Sequence, residues 1–328
     1  MNIGKLSTDD LHRLINGNTG ARREEVVIRP KVGEDCAVIK VGDEGVILST
    51  DPITGSESEV GKLAVHINCN DIASSGGDII GLMLTILAPE GTTIEALETI
   101  MKQAADEAKK MNVEIIGGHT EITNAVNQIL VSATAVGKEK LENIVATGSG
   151  RLGDAIIITK GIGIEGTGII AFEKEEELRG VLMPSGLEEA KDMLNKISVY
   201  KEGRLASKFG VTSMHDVTEG GVFGALWEGC MASGLGCDID INRLPVAPVT
   251  RQICNHYGIN PYQLISSGSM IITVEADRAE ELVTYLDEHG VPAFEIGKLT
   301  DGQIRFCDEK GDFREIPEPA SDELYKVI

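Results

Sequence analysis

Hydrophobic and polar positions along the chain switch between a period of two and a period near 3.6, and the switches mark out the elements. Residues 36–41 and 45–49 are short β-branched runs split by Gly42-Asp43-Glu44-Gly45, which predicts a hairpin. Over residues 59–75 the apolar positions Val60, Leu63, Ala64 and Ile67 share one helical face, and the next two positions on it are Asn70 and Asp71. A polar pair where the pattern predicts burial is informative, because a buried carboxylate needs a partner or a metal. The alternative is a helix that stops earlier, with Asp71 capping a turn. Residues 79–87 read as a central strand, and Thr92-Thr93-Ile94-Glu95 as a capping box opening a helix to about Met111. Ile94, Leu97, Met101, Ala104, Ala105 and Ala108 would face inward on that helix. Residues 113–116 form a strand running into a Gly117-Gly118-His119-Thr120-Glu121 turn, and 128–136 form another. The first half therefore reads β-β-α-β-α-β-β, a mixed sheet with helices on one face.

The small residues Thr147-Gly148-Ser149-Gly150 suggest a boundary, giving domains of 1–148 and 149–328. The second half is an α/β domain richer in helix. Helices are expected near 164–172, 187–197, 201–209, 219–233 and 278–289, and strands near 154–159, 236–241, 269–275, 293–298 and 303–307.

Composition narrows the picture. Aromatic residues are only 4% and apolar residues 42%, so Ile, Val, Leu and Ala must fill the cores, which suits sheets covered by helices. The 38 glycines imply many turns with positive φ or close backbone approach. A net charge of −22, spread over both halves, argues against nucleic-acid binding, which needs a basic face. The six cysteines show no metal-ligand spacing, and no apolar run approaches a membrane span, so a cytoplasmic protein with reduced thiols is expected.

Candidate chemistry lies in four acidic or polar turns: Gly33-Glu34-Asp35, Ser49-Thr50-Asp51-Pro52, Asn70-Asp71 and Gly117–Glu121. Each read alone is an ordinary turn. Together they resemble a magnesium–nucleotide site, since magnesium takes hard oxygen ligands and no Gly-x-x-x-x-Gly-Lys-Ser/Thr loop is present. Three carboxylates brought close without a cation would raise one another's pKa, so convergence would itself imply a metal. The Gly117-Gly118 pair would let backbone approach phosphate, with His119 and Thr120 beside it. In the second half, His215-Asp216-Val217-Thr218-Glu219-Gly220-Gly221 leads into a helix; Thr218 looks like its N-cap, leaving amides free for an anion or carboxamide. Gly161-Ile162-Gly163-Ile164-Glu165-Gly166 does not fit a Rossmann fingerprint.

In this order these motifs resemble the superfamily containing aminoimidazole ribonucleotide synthetase (PurM), thiamine-monophosphate kinase (ThiL), selenophosphate synthetase and the hydrogenase-maturation protein HypE. Gly33-Glu34-Asp35-Cys36-Ala37, Ser49-Thr50-Asp51 and Asn70-Asp71-Ile72-Ala73 are similar to its acidic turns, and His215–Val222 is similar to the HypE branch. The resemblance implies a PurM-like fold, a homodimer joined through a shared β-barrel, and ATP near that interface. It also implies Asp35, Asp51 and Asp71 as magnesium or phosphate residues, with Thr50, Asn70, Gly117, Gly118 and Thr120 as nucleotide contacts. Two departures stand out: His119 where the family has an acid, and a chain ending Tyr325-Lys326-Val327-Ile328 instead of the Pro-Arg-Ile-Cys tail of HypE. The tail chemistry is therefore not carried over.

The expectation is an ATP- and Mg2+-dependent enzyme that phosphorylates an amide or carboxyl-type oxygen, with Asp216 and His119 as acid–base or substrate contacts. Its acceptor would be a small molecule or a protein-bound carbamoyl group, as in hydrogenase maturation. Alternatives are a non-catalytic nucleotide-binding partner of a maturation protein and a ThiL-like small-molecule kinase.

Overall fold

The computed structural model describes residues 6–53, 59–319 and 321–328. Two sheets organise the chain. The first comes from α1 (Thr8–Ile15), β1 (Val26–Ile28), β2 (Ala37–Val41), β3 (Glu44–Ile53), α2 (Val60–Ser74), β4 (Asp78–Ala88), α3 (Ile94–Lys110), β5 (Glu114–Ile122) and β6 (Leu130–Lys140). Its strand order is β1-β2-β3-β6-β4-β5, antiparallel throughout except for the β4/β5 pair. The second comes from β7 (Ala155–Thr159), α4 (Ile164–Glu173), α5 (Glu175–Leu178), α6 (Pro184–Asp192), α7 (Tyr200–Phe209), β8 (Ser213–Asp216), α8 (Gly221–Ser233) and β9 (Gly236–Asp240). It continues through α9 (Pro248–Tyr257), β10 (Met270–Val274), α10 (Ala279–Glu288), β11 (Ala293–Thr300), β12 (Ile304–Cys307) and β13 (Phe313–Glu315), in the order β13-β12-β9-β11-β7-β10-β8.

The predicted hairpin is β2/β3, closed by Gly42-Asp43 with Gly42 at φ 63°. Helix α2 is buried at nearly every position rather than on one face, because it is wedged between β3, β4 and β6, α3, and α7 and β8 of the second half. Two of its polar residues find partners inside: Lys62 Nζ donates to Asn195 Oδ1 at 2.7 Å, and His66 Nε2 pairs with Glu107 Oε2 at 3.0 Å. This helix carries Asp71 to the seam between the two halves.

Several expectations are corrected. Thr93, not Thr92, caps α3 by accepting from the Ala96 amide, so Glu95 falls one place short of the capping-box position. The inward stripe of α3 is Ile100, Ala104 and Ala108; Ile94, Met101 and Ala105 are exposed. The 117–121 segment is not a turn. It lies inside β5, an edge strand exposed at every residue but Ile115. Gly118 is needed there for a packing reason: at φ 148° a Cβ would stand 1.9 Å from the Leu84 carbonyl oxygen of β4. Thr218 does not cap α8. Gly220, left-handed at φ 85°, occupies that position. Elements α1, β1, α5, β8, α9 and β13 add to the expected set. No described helix is long and apolar enough to cross a membrane.

Candidate active site

A cavity of about 410 Å3 opens between the two halves. Its walls are the 33–35 turn, the end of β3, the middle of α2, the first turn of α4, the end of β8 with the turn before α8, and the C-terminal segment around Asp322. Nine carboxylates line it, from Glu34, Asp35, Asp51, Asp71, Glu165, Asp216, Glu219, Glu228 and Asp322, against the cations Lys31 and His215. Such an excess of buried negative charge is unfavourable unless a cation joins it.

The acids of the 33–35 turn, β3 and α2 are held by local structure. Gly33 sits at φ 76°, where a Cβ would be 2.5 Å from the Glu228 carbonyl oxygen, so the turn lies against α8. Asp35 Oδ2 accepts from His215 Nδ1 at 2.8 Å, Ser74 Oγ at 3.0 Å and Thr147 Oγ1 at 3.3 Å. Along β3 the pleat sends Ser49 and Asp51 to the cavity side and Thr50 to the other. Ser49 donates its hydroxyl to Asp71, and Asn68 of α2 accepts the Asp51 amide at 2.8 Å. Burial, followed by the nearby charges of Asp216, Asp51 and Asp35, drives the Asp71 pKa well above the usual carboxylate value. Burial also raises Glu34, partly offset by the Thr147 amide.

His215 bridges two acids, Asp35 through Nδ1 and Glu228 through Nε2 at 3.2 Å. Burial alone would lower its pKa, but Asp35 and Glu228 outweigh that and hold it well above the ordinary imidazole value. Asp35, His215 and Asp216 offer ligand atoms within 4.8 Å of one another. Because both imidazole nitrogens are already engaged, the donors left for an ion are carboxylate oxygens. That set fits a hard cation such as Mg2+ rather than zinc.

Two family models match the chain: AIR synthase related protein, N-terminal domain, over residues 33–138, and AIR synthase related protein, C-terminal domain, over 151–307. The chain belongs to the AIR synthase related family. A Methanocaldococcus jannaschii protein named for hydrogenase expression and formation is 28% identical over 267 residues, covering 78% of this chain and 76% of the relative. Carbamoyl dehydratase HypE of Escherichia coli is 24% identical over 282 residues, covering 84% and 81%. Among solved structures, the hydrogenase maturation protein HypE in complex with ATP superposes with a TM-score of 0.69 at 20% identity, covering 97% of this chain and 96% of that one. The PurM-like two-domain fold follows from these likenesses.

Of the residues singled out by sequence, Asp35, Asp51, Asp71 and Asp216 line this cavity together. The others lie elsewhere in the single chain. Thr50 bonds the Ala133 carbonyl at 2.9 Å on the opposite face of the sheet. Asn70 is turned to the second half, donating to Ile197 O at 2.7 Å and accepting from Val199 N at 2.9 Å. Gly117, Gly118, His119 and Thr120 lie in β5, outside the cavity lining. His119 is largely exposed beside Glu121. The Gly220 amide, expected to await an anion, is taken by Asp322 Oδ2 at 2.6 Å. Sequence reasoning gave Ser49 no role of its own within its turn and missed Asn68, Glu228, Glu165 and Asp322 as parts of the site. The alternation of β3 could have flagged Ser49; the rest carry no local signal.

Proposed function

We propose that this chain is a Mg-ATP-dependent enzyme that phosphorylates an amide or carboxyl-type oxygen, making it a leaving group for dehydration. The observation that carries this reading is the buried convergence of Asp35, Asp51, Asp71 and Asp216 in a cavity between the halves. These carboxylates would hold Mg2+, which supplies neutralisation of the nucleotide's phosphate charge when bound. The chain's own residues do the positioning. Ser49, Asn68 and Ser74 fix the acids, the His215 imidazolium offsets Asp35, and the interdomain seam shields the site from bulk water.

A carbamoyl acceptor is favoured by the likeness to carbamoyl dehydratase HypE, and a maturation partner protein would present it if it is protein-bound. The uncovered sheet face, with Ile80, Met83 and Ile116 exposed, supports a homodimer joined through β4 and β5. Incubation with Mg-ATP and a cell extract, followed by mass spectrometry, tests the reading. Loss of an amide or carboxyl compound with release of ADP and phosphate is expected. Accumulation of a phosphorylated alcohol would replace it with the small-molecule kinase reading.

A further inference from the structure

One buried acid of the cavity is unexplained by the fold. After β7 the chain turns through Gly163 at φ 67°, which places Glu165 in the first turn of α4 with its side chain only 2% exposed. Among the described residues it draws on Ser267 alone, whose amide donates to it at a long 3.3 Å and whose hydroxyl lies beside it. The charged groups acting on it are both acidic, Asp322 from the C-terminal segment and Glu219 from the turn before α8. Asp322 makes the contrast plain. Also buried, it accepts from three amides, Gly220 at 2.6 Å, Leu324 at 2.8 Å and Ile265 at 3.2 Å, and so has the saturation expected of a structural carboxylate. Glu165 is compensated only by the amide and hydroxyl of Ser267, less than its burial requires, and burying it therefore costs stability.

A second, independent observation lies beside it. Ser267 is 1% exposed and lines the same cavity, and apart from the Glu165 carboxyl its Oγ has no hydrogen-bond partner among the described residues. A buried hydroxyl and an under-compensated buried carboxyl that have little but each other describe a subsite awaiting a polar group. Burial pushes the Glu165 carboxyl up to about 7, so that near neutral pH it can both give and take a proton, as an acid–base group must.

We infer that Glu165 exchanges a proton with the phosphoryl acceptor, and that Ser267 Oγ hydrogen-bonds the same acceptor group. This rests on the reading of the cavity as a Mg-ATP-dependent phosphoryl-transfer site. For an amide acceptor the carbonyl oxygen bonds to the γ-phosphorus, the bond from that phosphorus to the β–γ bridging oxygen breaks, and ADP leaves. The amide N–H proton passes to the Glu165 carboxylate, leaving an imidoyl phosphate. With water as acceptor the same carboxylate takes the water proton, giving basal hydrolysis to ADP and phosphate.

Basal hydrolysis allows a test without the natural acceptor, using the full chain and Mg-ATP. Glu165→Gln is expected to bind Mg-ATP within about twofold of wild type and to hydrolyse it about 100-fold more slowly. The wild-type rate should show an inflection near pH 7 that Glu165→Gln lacks and Glu165→Asp keeps. Ser267→Ala removes an oxygen the fold uses only at Glu165 and should lower hydrolysis by about tenfold. A wild-type rate in either Glu165→Gln or Ser267→Ala, or an inflection that survives in Glu165→Gln, overturns the assignment while leaving nucleotide binding intact. Failure of the wild type to bind Mg-ATP overturns the underlying reading and the role of Glu165 with it.

Discussion

Glu165 also makes a prediction about stability that requires no substrate. Its carboxyl is fully buried and shifted from the ordinary 4.5 to about 7, chiefly by desolvation. The folded state therefore binds this proton more tightly than the unfolded chain does. For a raised carboxyl the sign is a penalty: absent below the unfolded value, growing as pH rises from 4.5, and complete above about 7. The displacement corresponds to about 3 kcal/mol. Glu165→Gln keeps an oxygen to accept the Ser267 amide and never ionises. Urea unfolding of variant and wild type at about pH 8 and about pH 4 should show the variant more stable by up to about 3 kcal/mol at the higher pH, with that advantage lost at the lower. Other titrating groups are common to both proteins, so the pH dependence of the difference isolates this residue. A stability difference independent of pH would refute the reasoning, because it would mean that Glu165 ionises as freely in the fold as in the unfolded chain.

Three further outcomes follow from the same geometry. His215→Ala leaves Asp35 and Glu228 buried without their shared imidazolium and should destabilise the protein by about 3 kcal/mol or more in denaturant unfolding. Gly118→Ala drives a Cβ into the Leu84 carbonyl oxygen and should loosen the β4/β5 pair, read as faster amide hydrogen exchange there; Gly117→Ala, with open space around its Cβ, should behave as wild type. Asn70→Ala breaks the bridge to Ile197 and Val199, so thermal unfolding should show a loss of about 2 kcal/mol with Mg-ATP affinity retained.

The sequence showed most of the elements but not the whole of the site, and the reasons are physical. The hairpin and β4 were legible because their local pattern agrees with their packing, and α2 and α8 were legible as helices although α2 is buried on every side. The inward position of Asp71 was legible from its place on the helical pattern. Its neighbour Asn70 is turned to the second half instead, because α2 is enclosed on all sides and adjacent residues face different ways. The 117–121 segment was misread because paired glycines suggest a turn, whereas Gly118 serves close contact with a neighbouring strand that no local pattern reveals. Glu228, Glu165 and Asp322 reach the cavity from a helix face, a helix start and the C-terminal segment. Their meeting depends on how the two halves dock. The amides at Gly220 looked open because Asp322, about a hundred residues away along the chain, is what fills them.

The claim on which the account turns is that the buried acids are a magnesium–nucleotide site. Calorimetric titration of ATP into wild-type protein and Asp71→Asn, each with and without Mg2+, tests it most directly. Asp71 is under repulsion from Asp216, Asp51 and Asp35, so the variant should fold at least as stably as wild type. The account predicts ATP binding by the wild type that depends on Mg2+ and is lost in the folded variant. Binding that is indifferent to the metal, or that survives in Asp71→Asn with its magnesium dependence unchanged, would contradict it.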